Sequence, residues 1–192
     1  MGHKFDIEKV AKLDSPERRE IQDPEKLLAL LKMPGGTIAA DIGCGTGYYT
    51  FPLAHRIGQG GKVYAVDISP EMLSILEQRM KERHITNIEP ILSQENSIPL
   101  PDSCLDMVII AMAFHEADQK EALLSEIRRV LKPQGKIINI DWEAKESPMG
   151  PPLEHRIPCQ EAIRILSEAG FKDISQLEVY QYLYVIQAIN PG

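Results

Sequence analysis

The sequence predicts an α/β fold: a doubly wound, largely parallel sheet with helices on both faces. Two observations predict it. Short apolar, β-branched runs alternate with segments of helical periodicity along most of the chain, and several of the runs are apolar throughout, as strands buried on both faces are. No repeat, low-complexity tract or domain-scale linker interrupts the alternation, and 192 residues suffice for one domain with a substantial core.

The elements follow in order. Residues 1–36 form an N-terminal helical cap segment, in which "DPEKLLALL" (23–31) offers Asp23 as N-cap and Pro24 next, a helix laid across the sheet. "TIAADI" (37–42) is the first strand and ends in an acid before three glycines. "YTFPLAHRIG" (49–58) spaces Phe51, Leu53, Ala54 and Ile57 as a helix does and stops at Gly58. "KVYAVDI" (62–68) is the second strand. "SPEMLSILEQRMKERH" (69–84) is a helix capped by Ser69, with Pro70 at its first position. In "NIEPIL" (87–92), Pro90 demotes the strand to an edge.

"CLDMVIIAMAF" (104–114) reads as a buried strand with an apolar extension, "KEALLSEIRRVLK" (120–132) as an amphipathic helix, and "KIINIDW" (136–142) as the next strand. The loop 143–158 is the longest irregular stretch, of a length that often serves as a lid. "CQEAIRILSEAG" (159–170) is a helix ended by Gly170, and "QLEVYQYLYVIQAI" (176–189) is strand material able to form a hairpin. The core spans 37–142, with 143–192 adding the loop, last helix and terminal strands.

Composition narrows the function. A net charge of −7 argues against a nucleic-acid binder, and no apolar stretch approaches the ~20 residues that span a bilayer. The charged N-terminus lacks a signal-peptide core, so a cytoplasmic protein is expected. Cys44, Cys104 and Cys159 are widely spaced with no C-x-x-C pair, so neither a metal site nor a disulfide framework is expected.

The glycine cluster in "DIGCGTGYYT" (41–50) marks a ligand site, because ligands of open parallel sheets bind beyond the C-terminal strand ends. A phosphate-binding P-loop requires a lysine, and none lies between Gly43 and Leu53. A dinucleotide fingerprint requires G-x-G-x-x-G, whereas Tyr48 occupies the third glycine position and Asp41 adds a carboxylate beside an anionic ligand. A ligand with a cationic end suits Asp41 better.

The residues from Asp41 to Gly47 resemble the first motif of the class I S-adenosylmethionine-dependent methyltransferases, an acid followed by G-x-G-x-G. The resemblance runs from about Thr37 to Asp141: "IPLPDSCLD" (98–106), "EIRRVLKPQGKI" (126–137) and "EAIRILSEAGF" (161–171) follow in the family's order. It implies a Rossmann-like, seven-stranded sheet with the last strand antiparallel. It also implies S-adenosylmethionine as cofactor and S-adenosylhomocysteine as product. By resemblance Asp41 attracts the cofactor's ammonium and Asp67 holds the ribose hydroxyls. Gly43, Cys44, Gly45, Thr46 and Gly47 form the backbone cradle, and Ile68 and Met72 pack on adenine. Gln94, Glu95 and Asn96 stand at the adenine-amino segment, where either of the first two side chains could accept, and Ala111 follows at the end of the fourth strand. Gln134 replaces the family's commoner glycine, so that turn is expected to differ.

Methyl transfer from a sulfonium needs alignment more than a base, so the acceptor is harder to read. "AMAF" (111–114) lacks the [DN]-P-P-[YF] of enzymes acting on planar nitrogens, and neither the carboxylates of a metal-dependent catechol site nor the cysteines of an arsenic site are present in pattern. His115 and Glu116 follow the fourth strand and are the catalytic candidates, since an imidazole can take a proton from a hydroxyl, thiol or amine. His155 in the long loop could reach the same pocket, and Asp141 and Trp142, closing the fifth strand, could line the substrate cavity, with Trp142 expected rather to pack. The expected protein is a methyltransferase with a small-molecule acceptor, monomeric or homodimeric. A binding module that keeps the cofactor site without catalysis is the alternative, and a nicotinamide oxidoreductase a weaker one.

Overall fold

A computed structural model describes residues 16–192. The first 15 residues of the expected cap segment lie outside the described residues. The chain runs α1 (Pro16–Gln22), α2 (Pro24–Leu28), β1 (Ile38–Ile42), α3 (Thr50–Ile57), β2 (Lys62–Asp67), α4 (Pro70–Glu82), β3 (Ile88–Leu92) and β4 (Leu105–Ala111). It continues with α5 (Lys120–Val130), β5 (Leu131–Trp142), a 3-10 turn (Leu153–His155), α6 (Cys159–Glu168), β6 (Lys172–Gln176) and β7 (Leu183–Ile189).

The strands form one seven-stranded sheet in the order β3-β2-β1-β4-β5-β7-β6, with β7 antiparallel to both neighbours, as expected. The chain winds outward from β1 to β3, then crosses back to β4 on the other side of β1. The resulting switch point lies between the C-terminal ends of β1 and β4. β3, with Pro90, is the sheet edge that the proline predicted.

Alternation along the strands divides the core into two layers. Ala40, Ile42, Val66, Val108 and Ile110 face the layer closed by Leu124 and Ile127 of α5 and Ala162 and Leu166 of α6. Ala39, Val63, Ala65, Met107 and Ile109 face the layer closed by Leu27 and Leu28 of α2, Leu53 and Ala54 of α3, and Leu73 and Leu76 of α4. Helix starts follow the expected chemistry: Ser69 Oγ accepts the Met72 N–H at 3.2 Å, and Asp23 Oδ1 accepts that of Glu25 at 3.2 Å.

Three boundaries differ from expectation, each for a local reason. β4 stops at Ala111, because Met112 takes a left-handed φ of 55° and Phe114 turns back into the core. β5 begins earlier, at Leu131, because Leu105 pairs with Leu131 before a register shift to Met107–Lys136. β6 was not read as a separate strand; it is largely exposed and carries no apolar alternation.

Two stretches that carried much of the resemblance fasten the N-terminal end of β4. Arg129 donates to the carbonyls of Ile98 and Leu100 at 2.8 and 2.9 Å, to Asp102 at 2.7 Å and to Glu126, whose other contact is the Ile98 N–H at 2.9 Å. Asp106 accepts the Ile38 N–H at 2.8 Å and Lys132 Nζ at 2.7 Å, so one carboxylate ties β4 to β1 and to the start of β5.

Candidate cofactor and acceptor site

Beyond Ile42 the chain turns across the C-terminal end of β2. The Gly43 and Cys44 N–H groups both donate to the Val66 carbonyl, at 2.8 and 3.1 Å. Asp67 then pins the loop. Its Oδ2 accepts the Gly45 N–H at 2.8 Å and its Oδ1 the Ser69 N–H at 2.9 Å. Each oxygen keeps a lone pair for a further donor.

Gly43 and Gly45 serve different ends. A Cβ on Gly43 would lie 2.5 Å from Ala113 Cβ, so this glycine makes room for the chain's own β4 exit rather than for a ligand. At Gly45, with φ of 52°, a Cβ would meet nothing within 4 Å. Open space for a close-approaching ligand therefore adjoins Gly45.

Asp41 is 2% exposed and accepts a 2.6 Å hydrogen bond from Thr50 Oγ1. Burial pushes its pKa up to about 7; the Thr50 hydrogen bond opposes the shift, Asp67's charge adds to it, and Arg18's charge opposes it. Cys44 is buried beside them, its thiol held well above the ordinary range by burial and by the charges of Asp41 and Asp67. Thr46 is also buried, and its Oγ1 finds no partner among the described residues.

The remaining predicted cofactor residues spread along the same end of the sheet. Ile68 is exposed immediately after β2, while Met72 is buried on the first turn of α4. After β3, Gln94 pairs with Ser97 through two backbone hydrogen bonds. Glu95 accepts the Gln119 N–H and Asn96 donates to Gln119 Oε1 at 3.2 Å, so both side chains tie this turn to the start of α5. Ala111 is half-buried where β4 ends.

His115 and Glu116 lie beyond β4, and Asp141, read from the sequence only as a cavity-lining residue, pairs with His115. Asp141, at the end of β5, accepts His115 Nδ1 at 2.7 Å on Oδ1 and the His115 backbone N–H at 3.0 Å on Oδ2. The Trp142 N–H also reaches Oδ1, at 2.8 Å. With Nδ1 protonated toward Asp141, Nε2 is left as the acceptor. Burial opposes a charge on His115, but Asp141's hydrogen bond and charge, with Glu116's charge, outweigh it and Lys120's repulsion, and the pKa rises. Glu116 Oε1 lies 3.9 Å from Nε2. Burial pushes Glu116 up to about 7; His115 opposes this, and Asp141 and Asp67 add to it. The strand register brings the two together: Ala111 pairs with Ile140, so residues just past β4 meet Asp141 at adjacent strand ends.

Two flanking segments enclose this region. Tyr48 Oη donates to the Gln22 carbonyl at 3.3 Å and Tyr180 Oη to that of Asp23 at 2.8 Å, while Tyr49 and Tyr180 hydroxyls pair at 3.4 Å. The loop 143–158 is folded around Arg156, which donates to the carbonyls of Glu143, Lys145, Met149 and Pro151. Trp142 is packed beneath Gly150, as expected of a structural residue. His155 sits exposed on its 3-10 turn, whereas His115 is enclosed.

The comparisons agree with this geometry. A family model described as a methyltransferase domain matches residues 39–135. Demethylmenaquinone methyltransferases of Geobacillus sp. and Bacillus subtilis are 34% and 30% identical over 124 and 122 residues. These alignments cover 65% and 64% of this chain, which spans about half the length of those curated relatives, 53% and 52%. A crystal structure of an S-adenosylmethionine-dependent methyltransferase from Aquifex aeolicus superposes with a TM-score of 0.92 at 37% identity, covering 97% of this chain and 99% of that one. Phosphoethanolamine N-methyltransferase 2 of Haemonchus contortus, solved with S-adenosylmethionine, shares the fold at a TM-score of 0.74 and 16% identity over 89% of this chain and 52% of its own. With its sheet order, its glycine loop and the matched domain, the chain belongs to the class I S-adenosylmethionine-dependent methyltransferases.

Proposed function

We propose that this chain transfers the methyl group of S-adenosylmethionine to a small, uncharged, apolar acceptor that gives up a proton, with His115 as the base. The observation that carries the reading is the enclosed His115–Asp141 pair, 2.7 Å apart, at the strand ends beside the Asp67-anchored loop.

The residues present fit the cofactor. Gly45 leaves open space at the loop, Asp67 has acceptor capacity for two hydroxyls, and Asp41 offers a buried carboxylate to an ammonium. Exposed Ile68 supplies an apolar surface for a base ring. When bound, the cofactor supplies a methyl carbon on a positively charged sulfur, open to in-line displacement. The chain must align a nucleophile with that carbon and exclude water. His115 Nε2 takes the acceptor's proton as the new bond forms, and the imidazolium is stabilised by Asp141 behind it and Glu116 beside it.

Charge and surface favour an apolar acceptor. Asp67, Glu116 and Asp141 disfavour an anion, while Met112, Met149 and Tyr182 are half-buried side chains packed on the layer that contains Trp142, the residue after Asp141. The curated relatives are named for demethylmenaquinone, and we extend to this chain the class, an apolar quinone taken in its reduced, nucleophilic form, rather than the compound. The net charge of −7 supports a small-molecule rather than nucleic-acid partner. We place the protein in the cytoplasm as a monomer or homodimer; among the described residues no helix is long and apolar enough to cross a membrane.

Labelled methyl transfer across a panel of hydroquinones and phenols against carboxylates and phosphates tests the reading. Transfer to the first group, lowered ~10²–10⁴-fold in kcat by His115→Ala with S-adenosylhomocysteine binding retained, is expected. Cofactor binding with no transfer to any acceptor would favour the binding-module alternative, and wild-type rates in the variant would remove His115 from the chemistry.

A further inference from the structure

We infer that Arg156 is a positioning residue of the acceptor site: it holds the loop 143–158 as a preformed apolar wall beside His115 and so sets which acceptors fit. The inference rests on the apolar-acceptor reading above and concerns a residue outside the matched stretch 39–135.

An unfixed loop makes a poor wall, because a ligand that meets it must also order it. This loop is restricted twice. Pro148, Pro151, Pro152 and Pro158 fix backbone angles and remove N–H groups. One side chain then gathers the carbonyls. Arg156 Nε donates to that of Pro151 at 2.9 Å, Nη1 to those of Glu143 and Lys145 at 3.1 and 2.7 Å, and Nη2 to that of Met149 at 3.4 Å. Ser147 Oγ also donates to the Met149 carbonyl, at 2.6 Å. A backbone folded in on a guanidinium has little left to offer a polar ligand. The loop's apolar side chains remain: Met149, half-buried on the layer that holds Trp142, and Leu153, 47% exposed on the 3-10 turn.

The wall adjoins the proposed base. The loop starts directly after Trp142, whose N–H shares Asp141 Oδ1 with His115 Nδ1. Its first N–H, that of Glu143, reaches the Tyr182 carbonyl at 3.0 Å. The Arg156 guanidinium lies 5.3 Å from the centroid of the Trp142 ring. Burial lowers the Arg156 pKa and Asp141's charge opposes this, so the guanidinium and the carboxylate that orients the base feel each other. Gly150 completes the fit. At its φ of 114°, a Cβ would lie 2.8 Å from Trp142 Cδ2 and 3.0 Å from Arg156 Nη2, so glycine lets the loop rest on ring and guanidinium at once.

Trp142 is the chain's one tryptophan and serves as the reporter. Wild type, Arg156→Lys, Arg156→Gln and Gly150→Ala, each loaded with S-adenosylhomocysteine, are titrated with a naphthoquinone methylated at both carbons of its quinone double bond, which blocks addition of thiols. Saturable quenching of tryptophan fluorescence gives the dissociation constant. Arg156→Gln and Gly150→Ala should weaken quinone binding about 10-fold or more, and Arg156→Lys by less, since it keeps the charge and loses the fork. Affinity for S-adenosylhomocysteine should change less than about twofold, and KM for the reduced, unmethylated quinone should rise by more than kcat falls. Should circular dichroism show Arg156→Gln unfolded, Gly150→Ala and Arg156→Lys carry the same comparison. Unchanged quinone affinity in the folded variants, an equal loss of S-adenosylhomocysteine affinity, or wild type whose Trp142 is not quenched overturns the assignment. Wild type that binds the quinone but transfers no labelled methyl to the reduced form overturns the functional reading instead.

Discussion

At the N-terminal end of the sheet, Asp106 meets Lys132 at 2.7 Å and Glu126 meets Arg129 at 2.8 Å, and the arginine's hydrogen bond holds the Glu126 carboxyl below its usual range. At the C-terminal end, Glu116 and Asp141 flank the His115 imidazole while Asp41 and Asp67 lie at the ends of β1 and β2, and burial carries Asp41 and Glu116 up to about 7. The same residue types thus do opposite work. A carboxylate matched by a cation of the chain fastens one loop to another. Carboxylates crowded at a buried strand end retain an appetite for protons and for a positively charged ligand, which is what a site for a sulfonium and an ammonium requires.

The contrast predicts that substitutions at the two ends separate activity from stability. Asp141→Asn is expected to have the largest effect. It removes the charge that orients His115 and stabilises its protonated form, so kcat should fall ~10²–10⁴-fold. The Asn oxygen can still accept one of the backbone N–H groups, so the variant should melt near wild type. A loss of S-adenosylhomocysteine affinity as large as the loss of kcat would show that Asp141 builds the cofactor site instead.

Asp41 should give the two ends opposite pH dependences. Its folded pKa, about 7, lies above the ordinary carboxyl value of 3.8, so burial favours the protonated form. The ligand-free protein therefore has this contribution in full below about pH 4 and loses it as pH rises through 7, because the unfolded chain releases the proton first. The shift corresponds to an upper figure on the order of 4 kcal/mol. Asp41→Asn should flatten the slope, and its stability relative to wild type should grow from pH 4 to 8 in urea unfolding. Glu126, with its pKa lowered, contributes in the reverse sense: stability present above the unfolded value and lost on acidification. A wild-type profile superimposable on that of Asp41→Asn would refute the buried-acid account.

These ends also differ in how legible they were. Asp41 stands at the end of an apolar run just before the glycines, a linear pattern that spacing exposes, and Asp67 closes the next strand, where the family resemblance marks it. His115 was visible as an imidazole after a strand, but its partner Asp141 lies on the next strand in space and 26 residues on in sequence. The contact of Arg18 with Tyr48 had no signal, since the N-terminal stretch reads only as charged until tertiary structure sets α1 on that ring. The doubly wound, largely parallel sheet was recoverable because βαβ units leave few alternatives, whereas the strand order comes from the structure. β6 escaped because an exposed edge strand needs no apolar face.

At the N-terminal end, Arg129→Ala should cost about 2–3 kcal/mol of stability, since it strands the carbonyls of Ile98 and Leu100 and the Glu126 carboxylate together. Turnover per folded molecule should be unchanged. A drop in kcat at a temperature where the variant is fully folded would mean that the clamp also shapes the site.

The smallest effect belongs to Gln134, in the stretch where the family more often has glycine. The turn keeps a left-handed φ of 65° although a side chain is present, and the Gln134 N–H reaches the Asn190 carbonyl at 2.7 Å. That conformation costs a side-chain-bearing residue ~1–2 kcal/mol, while glycine loses roughly 0.5–1 kcal/mol more through unfolded-state freedom. The side chain is exposed, so little contact is given up. Gln134→Gly should therefore gain about 0.5 kcal/mol, roughly 1–2 °C in Tm for a chain of this size, with activity unchanged. Its neighbour supplies the control: a Cβ on Gly135 would lie 2.8 Å from the Lys132 carbonyl oxygen and 3.2 Å from that of Leu105, so Gly135→Ala should destabilise. If both substitutions shift Tm in the same direction, backbone conformation and backbone crowding are not the separate constraints that this turn displays.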